Sequence, residues 1–133
     1  MAQYRVEDLL HLMSRLRDPK TGCPWDIKQS YQSIVPCTLE EAYEVADAIE
    51  RNDFDHLQEE LGDLLFQVVF YAQLGIEDGH FNFNDIVNTL VTKLIRRHPH
   101  VFPKGDLSPS SDNAPLSETE IKGRWEAIKR EER

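Results

Sequence analysis

Two acidic clusters, each set inside a run with helical apolar spacing, constrain this chain more than any other feature. Glu40, Glu41 and Glu44 stand in TLEEAYEVADAIE, and Glu60 and Asp63 stand in LQEELGDLLFQVVFYAQL. In the first run Leu39, Ala42, Tyr43, Ala46 and Ile49 recur at offsets of three and four; in the second, Leu57, Leu61, Leu64, Leu65, Val68 and Ala72 do so. Residues so spaced share one face of a helix. Packing the two apolar stripes together predicts that the carboxylates meet. Two like charges about 4 Å apart repel by ~4 kcal/mol at an effective dielectric near 20, so four or five half-buried carboxylates call for a divalent cation.

A plainer account covers part of this. Carboxylates in the first turn of a helix favour its dipole, and Thr38 with Glu41 fits the S/T-x-x-E capping box, in which Glu41 bonds backbone rather than metal. Glu44 lies too deep in the helix to cap it, and Glu60 and Asp63 sit between leucines in a helix interior. Gly62, between them, costs about 1 kcal/mol relative to alanine there and predicts the close approach of another backbone or a ligand.

At 133 residues with 40% hydrophobic and 29% charged content, the chain suits one domain with a real core. Its 24 acidic against 15 basic residues, a net charge of −9, argue against nonspecific binding to nucleic acid or to an anionic membrane. No apolar run reaches the length of a membrane span, and the N-terminal stretch is amphipathic without a signal-peptide core, which predicts a cytoplasmic protein. Cys23 and Cys37 are too few for a disulfide framework or a zinc knuckle, so reduced thiols are expected.

The pattern predicts only helices: one over 4 to 17, a short piece interrupted near Pro36, one over 38 to 51, one from a cap at Asn52 or Asp53 to about 74 before Gly75, and one from Asn82 or Asn84 to the His98-Pro99 boundary. Strand alternation is absent. Residues 104–117, with two prolines and four serines, read as a linker or mobile loop between a helical domain over 1–103 and a C-terminal helix over 118–133 that opens on a Ser117/Glu120 capping box. Lys93, Arg96 and Arg97 form a cationic face able to hold a phosphate chain, although cations near a helix C-terminus are favourable in any protein. His98 and His100 are read as structural or capping residues. Trp25 and Trp125 suit core or interface anchors as well as base-stacking platforms.

Together these residues carry a resemblance. Glu40-Glu41-x-x-Glu44 followed by Glu60-x-x-Asp63 is similar to the EExxE...ExxD signature of MazG-type nucleoside triphosphate pyrophosphohydrolases. GCPWD at 22–26, TLEEAYEV at 38–45, ELGDLLFQVVFYAQ at 60–73 and RRHPHVF at 96–102 resemble MazG blocks in the family's order. The resemblance, closest to the N-terminal copy of tandem MazG proteins, implies an all-α, four-helix-bundle-like fold completed by homodimerisation. It implies Mg²⁺, with Mn²⁺ as a possible substitute, and hydrolysis of NTPs or dNTPs to monophosphate and pyrophosphate as nucleotide-pool house-cleaning. By the same resemblance Glu41, Glu44, Glu60 and Asp63 are metal ligands supported by Glu40; Glu41 and Glu44 are candidate proton acceptors; Lys93 and Arg97, with Arg96 beside them, meet the triphosphate; Trp25 and Trp125 neighbour the base. Cys37 departs from the aromatic residue that many relatives carry before TLEE.

Three other readings compete. A silent nucleotide-binding or dimerisation module keeps the bundle without turnover. A ferritin-like di-iron protein needs Glu-x-x-His on core helices, and the literal match, Glu77 to His80, spans Gly79. A Walker-type NTPase is excluded because G-x-x-x-x-G-K-[ST] does not occur.

Overall fold

The computed structural model describes residues 3–109 and 116–133. Among these all regular structure is helical: α1 (Val6–Leu16), α2 (Pro24–Ile27), α3 (Tyr31–Glu50), α4 (Phe54–Asp78), α5 (Phe83–Arg97) and α6 (Glu118–Glu131). The chain divides into two compact units, Met1–Phe83 and Asn84–Arg133. The central part of the expected 104–117 linker, residues 110–115, lies outside the described residues. No described helix is long and apolar enough to cross a membrane.

The first unit is built on the α3–α4 hairpin. Its turn needs a positive φ, supplied by Asn52 at 55°, and Asp53 then caps α4 by accepting a bond from the His56 amide. α3 starts earlier than the sequence pattern suggests. Its N-cap is Ser30, whose hydroxyl accepts from the Ser33 amide (3.1 Å) while the Ser33 hydroxyl accepts from the Ser30 amide (2.8 Å). Thr38 is therefore mid-helix and Glu41 is no capping residue. The helix also runs through Pro36. A proline there removes the bond to the carbonyl four residues back and costs about 3 kcal/mol. The fully capped first turn and the burial of Ile34 offset that loss.

The inward faces differ from those expected. Leu39, Tyr43 and Ile49 on α3, and Leu61, Leu65 and Val68 on α4, are exposed, Tyr43 at 76%. Among the buried and half-buried positions, one row on α3 is Tyr31, Ile34, Thr38, Glu41, Val45 and Ala48 and one on α4 is Leu57, Glu60, Leu64, Gln67, Tyr71 and Leu74, while α4 also buries Val69, Phe70, Ala72 and Gly75. Both sets step alternately by three and four, the repeat of a coiled-coil seam. On α4 the expected Leu57, Leu64 and Ala72 do turn inward, but apolar counting missed the rest of the seam because it contains Thr38, Glu41, Glu60 and Gln67.

Below the seam, Met13, Ile34, Val69, Phe70 and Leu74 form the core, with Leu9, Leu10, Leu16, Tyr31, Phe66, Tyr71 and Phe83 packed against it. Arg17, one residue past α1, ties this unit together. Its guanidinium pairs with Glu77 on α4, donates to the carbonyls of Asp26 (2.7 Å), Ile27 (3.1 Å) and Gln29 (3.0 Å) at the end of α2, and lies 5.6 Å from the centre of the Phe70 ring. Gly75 does not end α4. A side chain there would meet the Phe81 ring at 2.6 Å, so glycine allows the following segment to fold back, and the helix ends at Asp78, capped by Gly79 in the left-handed conformation. Gly62 faces open space, so no backbone of the described chain makes the close approach expected at it.

In the second unit α5 begins directly after Asn82 and stops before Pro99, as its sequence suggests. His98 closes the helix by a 2.6 Å contact of Nδ1 with the Leu94 carbonyl. Ser117 caps α6 by accepting from the Glu120 amide at 3.2 Å. Cys23 and Cys37 are both free thiols.

Candidate metal and nucleotide site

Glu41, Glu60 and Asp63 each offer a carboxylate oxygen within 4.8 Å of the other two. The seam explains why. Glu41 and Glu60 occupy inward positions where leucine would ordinarily stand, and Asp63, one turn beyond Glu60, joins them from the exposed edge. Burial, the neighbouring Glu60 carboxyl, and the charges of Asp63, Glu60 and Glu40 push the Glu41 carboxyl up to about 7. Its Oε2 atom is buried and finds no hydrogen-bond partner. An orphaned carboxylate oxygen beside two more carboxylates fits a hard divalent cation, because oxygen donors are what Mg²⁺ or Mn²⁺ take and the cation offsets the repulsion.

Glu40 and Glu44 lie on the same helix but are exposed and stand outside this triad. Glu40 acts on it through charge, as one of the causes of the raised Glu41 carboxyl. Next to the triad along the seam is a polar rung. The Thr38 hydroxyl lies 3.0 Å from Gln67 Oε1 and 2.7 Å from the Tyr71 hydroxyl, and reaches the Ile34 carbonyl at 3.3 Å. Apolar periodicity misses this rung.

The other expected site residues belong to α2, α5 and α6. Trp25 is 57% exposed on α2, held by its short helix between the Pro24 start and the Arg17 clamp. In the second unit Arg96 and Arg97 share Glu132, both at 2.9 Å, and they hold that carboxyl down at about 2. Trp125 lies between cations, with the Arg97 guanidinium 5.9 Å and the Lys129 ammonium 4.7 Å from its ring. The cationic face read from Lys93, Arg96 and Arg97 is thus partly neutralised by Glu132, a residue thirty-five and more positions along that no local pattern singles out.

A family model described as the MazG nucleotide pyrophosphohydrolase domain matches residues 29–102, the stretch that contains the whole seam. The chain belongs to the MazG family. Over 129 residues it is 55% identical to the nucleoside triphosphate pyrophosphohydrolase of Escherichia coli (strain K12), which covers 97% of this chain and 46% of that protein. It is 51% identical over 96 residues to the nucleoside triphosphate pyrophosphohydrolase/pyrophosphatase MazG of Thermotoga maritima, covering 72% of this chain and 37% of that one. This MazG chain therefore spans less than half the length of these two curated relatives. The crystal structure of a mazG-related protein from Thermotoga maritima matches with a TM-score of 0.74 at 28% identity, covering 94% of this chain and 99% of that one. The all-helical fold expected from the sequence is the fold of the family.

Proposed function

We propose that this chain hydrolyses nucleoside triphosphates, NTP or dNTP, to the monophosphate and pyrophosphate with Mg²⁺ held by Glu41, Glu60 and Asp63. The observation that carries the reading is the placement of two carboxylates at seam positions with one oxygen left unpartnered, an arrangement that costs stability unless a cation is used there. Mg²⁺ bound there supplies charge neutralisation of the polyphosphate and a coordinated water, with Mn²⁺ as a substitute.

The chain's own residues divide the remaining work. Glu44, exposed one turn beyond Glu41 and outside the triad, is the carboxylate we assign to accept a proton from the attacking water. Glu40 adds negative charge that favours the cation. Lys93 and Arg97, with Arg96, carry the positive charge that a triphosphate requires; this assignment rests on charge and on the family motif. Trp25, exposed on α2, and Trp125, flanked by cations, are the candidate faces for the base. Such substrates belong to the cytoplasmic nucleotide pool, and house-cleaning of that pool is the role we infer.

We infer further that two copies associate through the outward apolar stripes of α3 and α4. Leu39, Tyr43, Ile49, Leu61, Leu65 and Val68 are too many large apolar groups to leave in water on two adjacent helices, and Gly62 opens the surface among them. Light scattering on the purified chain tests this, with a monomer at micromolar concentration as the contrary result.

Phosphorus NMR of the products tests the chemistry. Monophosphate and pyrophosphate are expected, and Glu44→Gln should lower turnover by roughly 10²-fold. Diphosphate and orthophosphate would mean attack at the terminal phosphate and would refute the assignment. Absence of turnover by folded wild-type protein would favour a silent nucleotide-binding module.

A further inference from the structure

We propose that Thr38, through Gln67 and Tyr71, is a positioning residue that sets the register of α3 against α4 and so holds Glu41 opposite Glu60 and Asp63. The cage depends on two helices meeting at one level. Apolar side chains alone specify that level weakly, since a slide along the seam exchanges one apolar contact for another, and in this seam the carboxylates themselves push apart.

The Thr38 rung lies one turn from the cage on both helices. Thr38 is three residues before Glu41, and Gln67 is four residues after Asp63, so each pair shares a helix face. The hydroxyl carries one proton and two lone pairs, and of the two acceptors in its reach Gln67 Oε1 is nearer, at 3.0 Å, than the Ile34 carbonyl, at 3.3 Å. The Thr38 and Tyr71 hydroxyls share a bond at 2.7 Å, and Thr38 donates to Gln67 Oε1 at 3.0 Å, linking one position on α4, through α3, to another on α4. Gln67 is 8% exposed, so a register that broke this chain would leave a buried amide unpaired. The Tyr31 and Tyr71 rings, stacked with centroids 6.4 Å apart, continue the same register one level further from the cage. A single buried polar group that fixes register is an attested use of polarity in helical seams.

The inference rests on the reading of the triad as a cation site, but its test does not need the cation. In metal-free protein at pH 8, Glu41→Gln relieves repulsion and raises the melting temperature. In the Thr38→Val background that rise is expected to shrink by half or more, because the carboxylates no longer face each other, and Thr38→Ser is expected to restore it. In parallel, Thr38→Val should weaken Mn²⁺ binding about tenfold, read by the electron paramagnetic resonance of free Mn²⁺. The double-mutant cycle decides: additive melting shifts overturn the proposal whatever Mn²⁺ does. Coupled shifts in a protein that binds no Mn²⁺ leave the positioning role standing and remove the cation reading instead. Should Thr38→Val fail to fold, Tyr71→Phe, which removes only the first bond of the chain, carries the same cycle and is judged the same way.

Discussion

Glu41→Gln exposes the cost of the acidic seam most directly. With oxygens of Glu41, Glu60 and Asp63 within 4.8 Å of one another, each ionised pair at that separation repels by ~3.5 kcal/mol at an effective dielectric near 20. Asp63 is exposed and Glu41 only half-buried, so solvent and salt screen most of that, and about 1 kcal/mol of net relief is the figure to carry forward. For a chain of this size it corresponds to a melting point about 4 °C higher for the variant in metal-free buffer at pH 8.

The sign reverses with metal and fades with acid. Glu41 has a carboxyl raised to about 7 in the folded state against an ordinary value of 4.5, so the folded protein binds this proton more tightly than the unfolded chain does. Its contribution to stability is fully present below pH 4.5 and is lost as pH rises through 7. Wild type should therefore lose stability from pH 5 to 8 by more than the variant does, and the two should converge near pH 4.5. Adding Mg²⁺ at 100 times its dissociation constant at pH 8 stabilises wild type by ~2.7 kcal/mol and the variant by far less. Calorimetric melts at pH 5 and 8, with chelator or with Mg²⁺, read all of this. A variant that melts at or below wild type in chelator at pH 8, with the same slope against pH, would falsify the account of the triad as a repulsive, cation-seeking cluster.

Three further outcomes are expected. Arg17→Ala removes an ion pair, three bonds to carbonyls at the end of α2 and a contact with the Phe70 ring, and should cost about 3 kcal/mol in urea unfolding; a loss under 1 kcal/mol would show that α2 stays put without the clamp. Gly75→Ala drives a methyl to 2.6 Å from the Phe81 ring and should destabilise by about 1–3 kcal/mol, whereas Gly62→Ala, facing open space, should be neutral or stabilising in the monomer by up to ~1 kcal/mol, so equal effects of the two would contradict the packing described. Trp25→Ala should change the ranking among bases while Lys93→Ala weakens all triphosphates alike, measured by initial rates on four NTPs; the reverse pattern would exchange the two roles.

How far the sequence could be read depended on what kind of signal each feature leaves. Helix starts marked by Asp53 and Ser117, and the end before Pro99, are local capping and breaking effects within one turn, and they stand where their residues suggest. Pro36 misled because its penalty is local, while part of what offsets it, the bonds of Thr38, comes from α4, 29 and 33 residues along the chain. Gly75 and Gly62 show the same division. A glycine in a helix signals that something is unusual, but whether a neighbour lies over it is decided by a segment that folds back later, as Phe81 does over Gly75 and nothing in this chain does over Gly62.

The acidic signature was legible for a different reason: charge in a helix interior is costly, so its presence demands a compensating interaction, and the chemistry of that interaction can be named from the residue types alone. The face on which it sits was not legible by the same route. Apolar counting picked out Leu57, Leu64 and Ala72, which turn inward, together with Leu39, Tyr43, Ile49, Leu61 and Leu65, which this chain turns outward, and it passed over Thr38, Glu41, Glu60 and Gln67, which also turn inward. Both observations follow if the hairpin does two jobs with two faces, one polar seam that holds carboxylates at a fixed level and one apolar surface left for a second copy. A substitution that exchanges these roles makes the point testable. Glu60→Leu supplies the seam with the apolar group its position would ordinarily hold, and it should raise the metal-free melting point, since a well-packed leucine replaces a repelled carboxylate, while abolishing the Mg²⁺-dependent rise. If the melting point falls instead, the seam at that level is built to hold a carboxylate even without a cation, and the repulsion argument would have to be replaced by a structural role for Glu60.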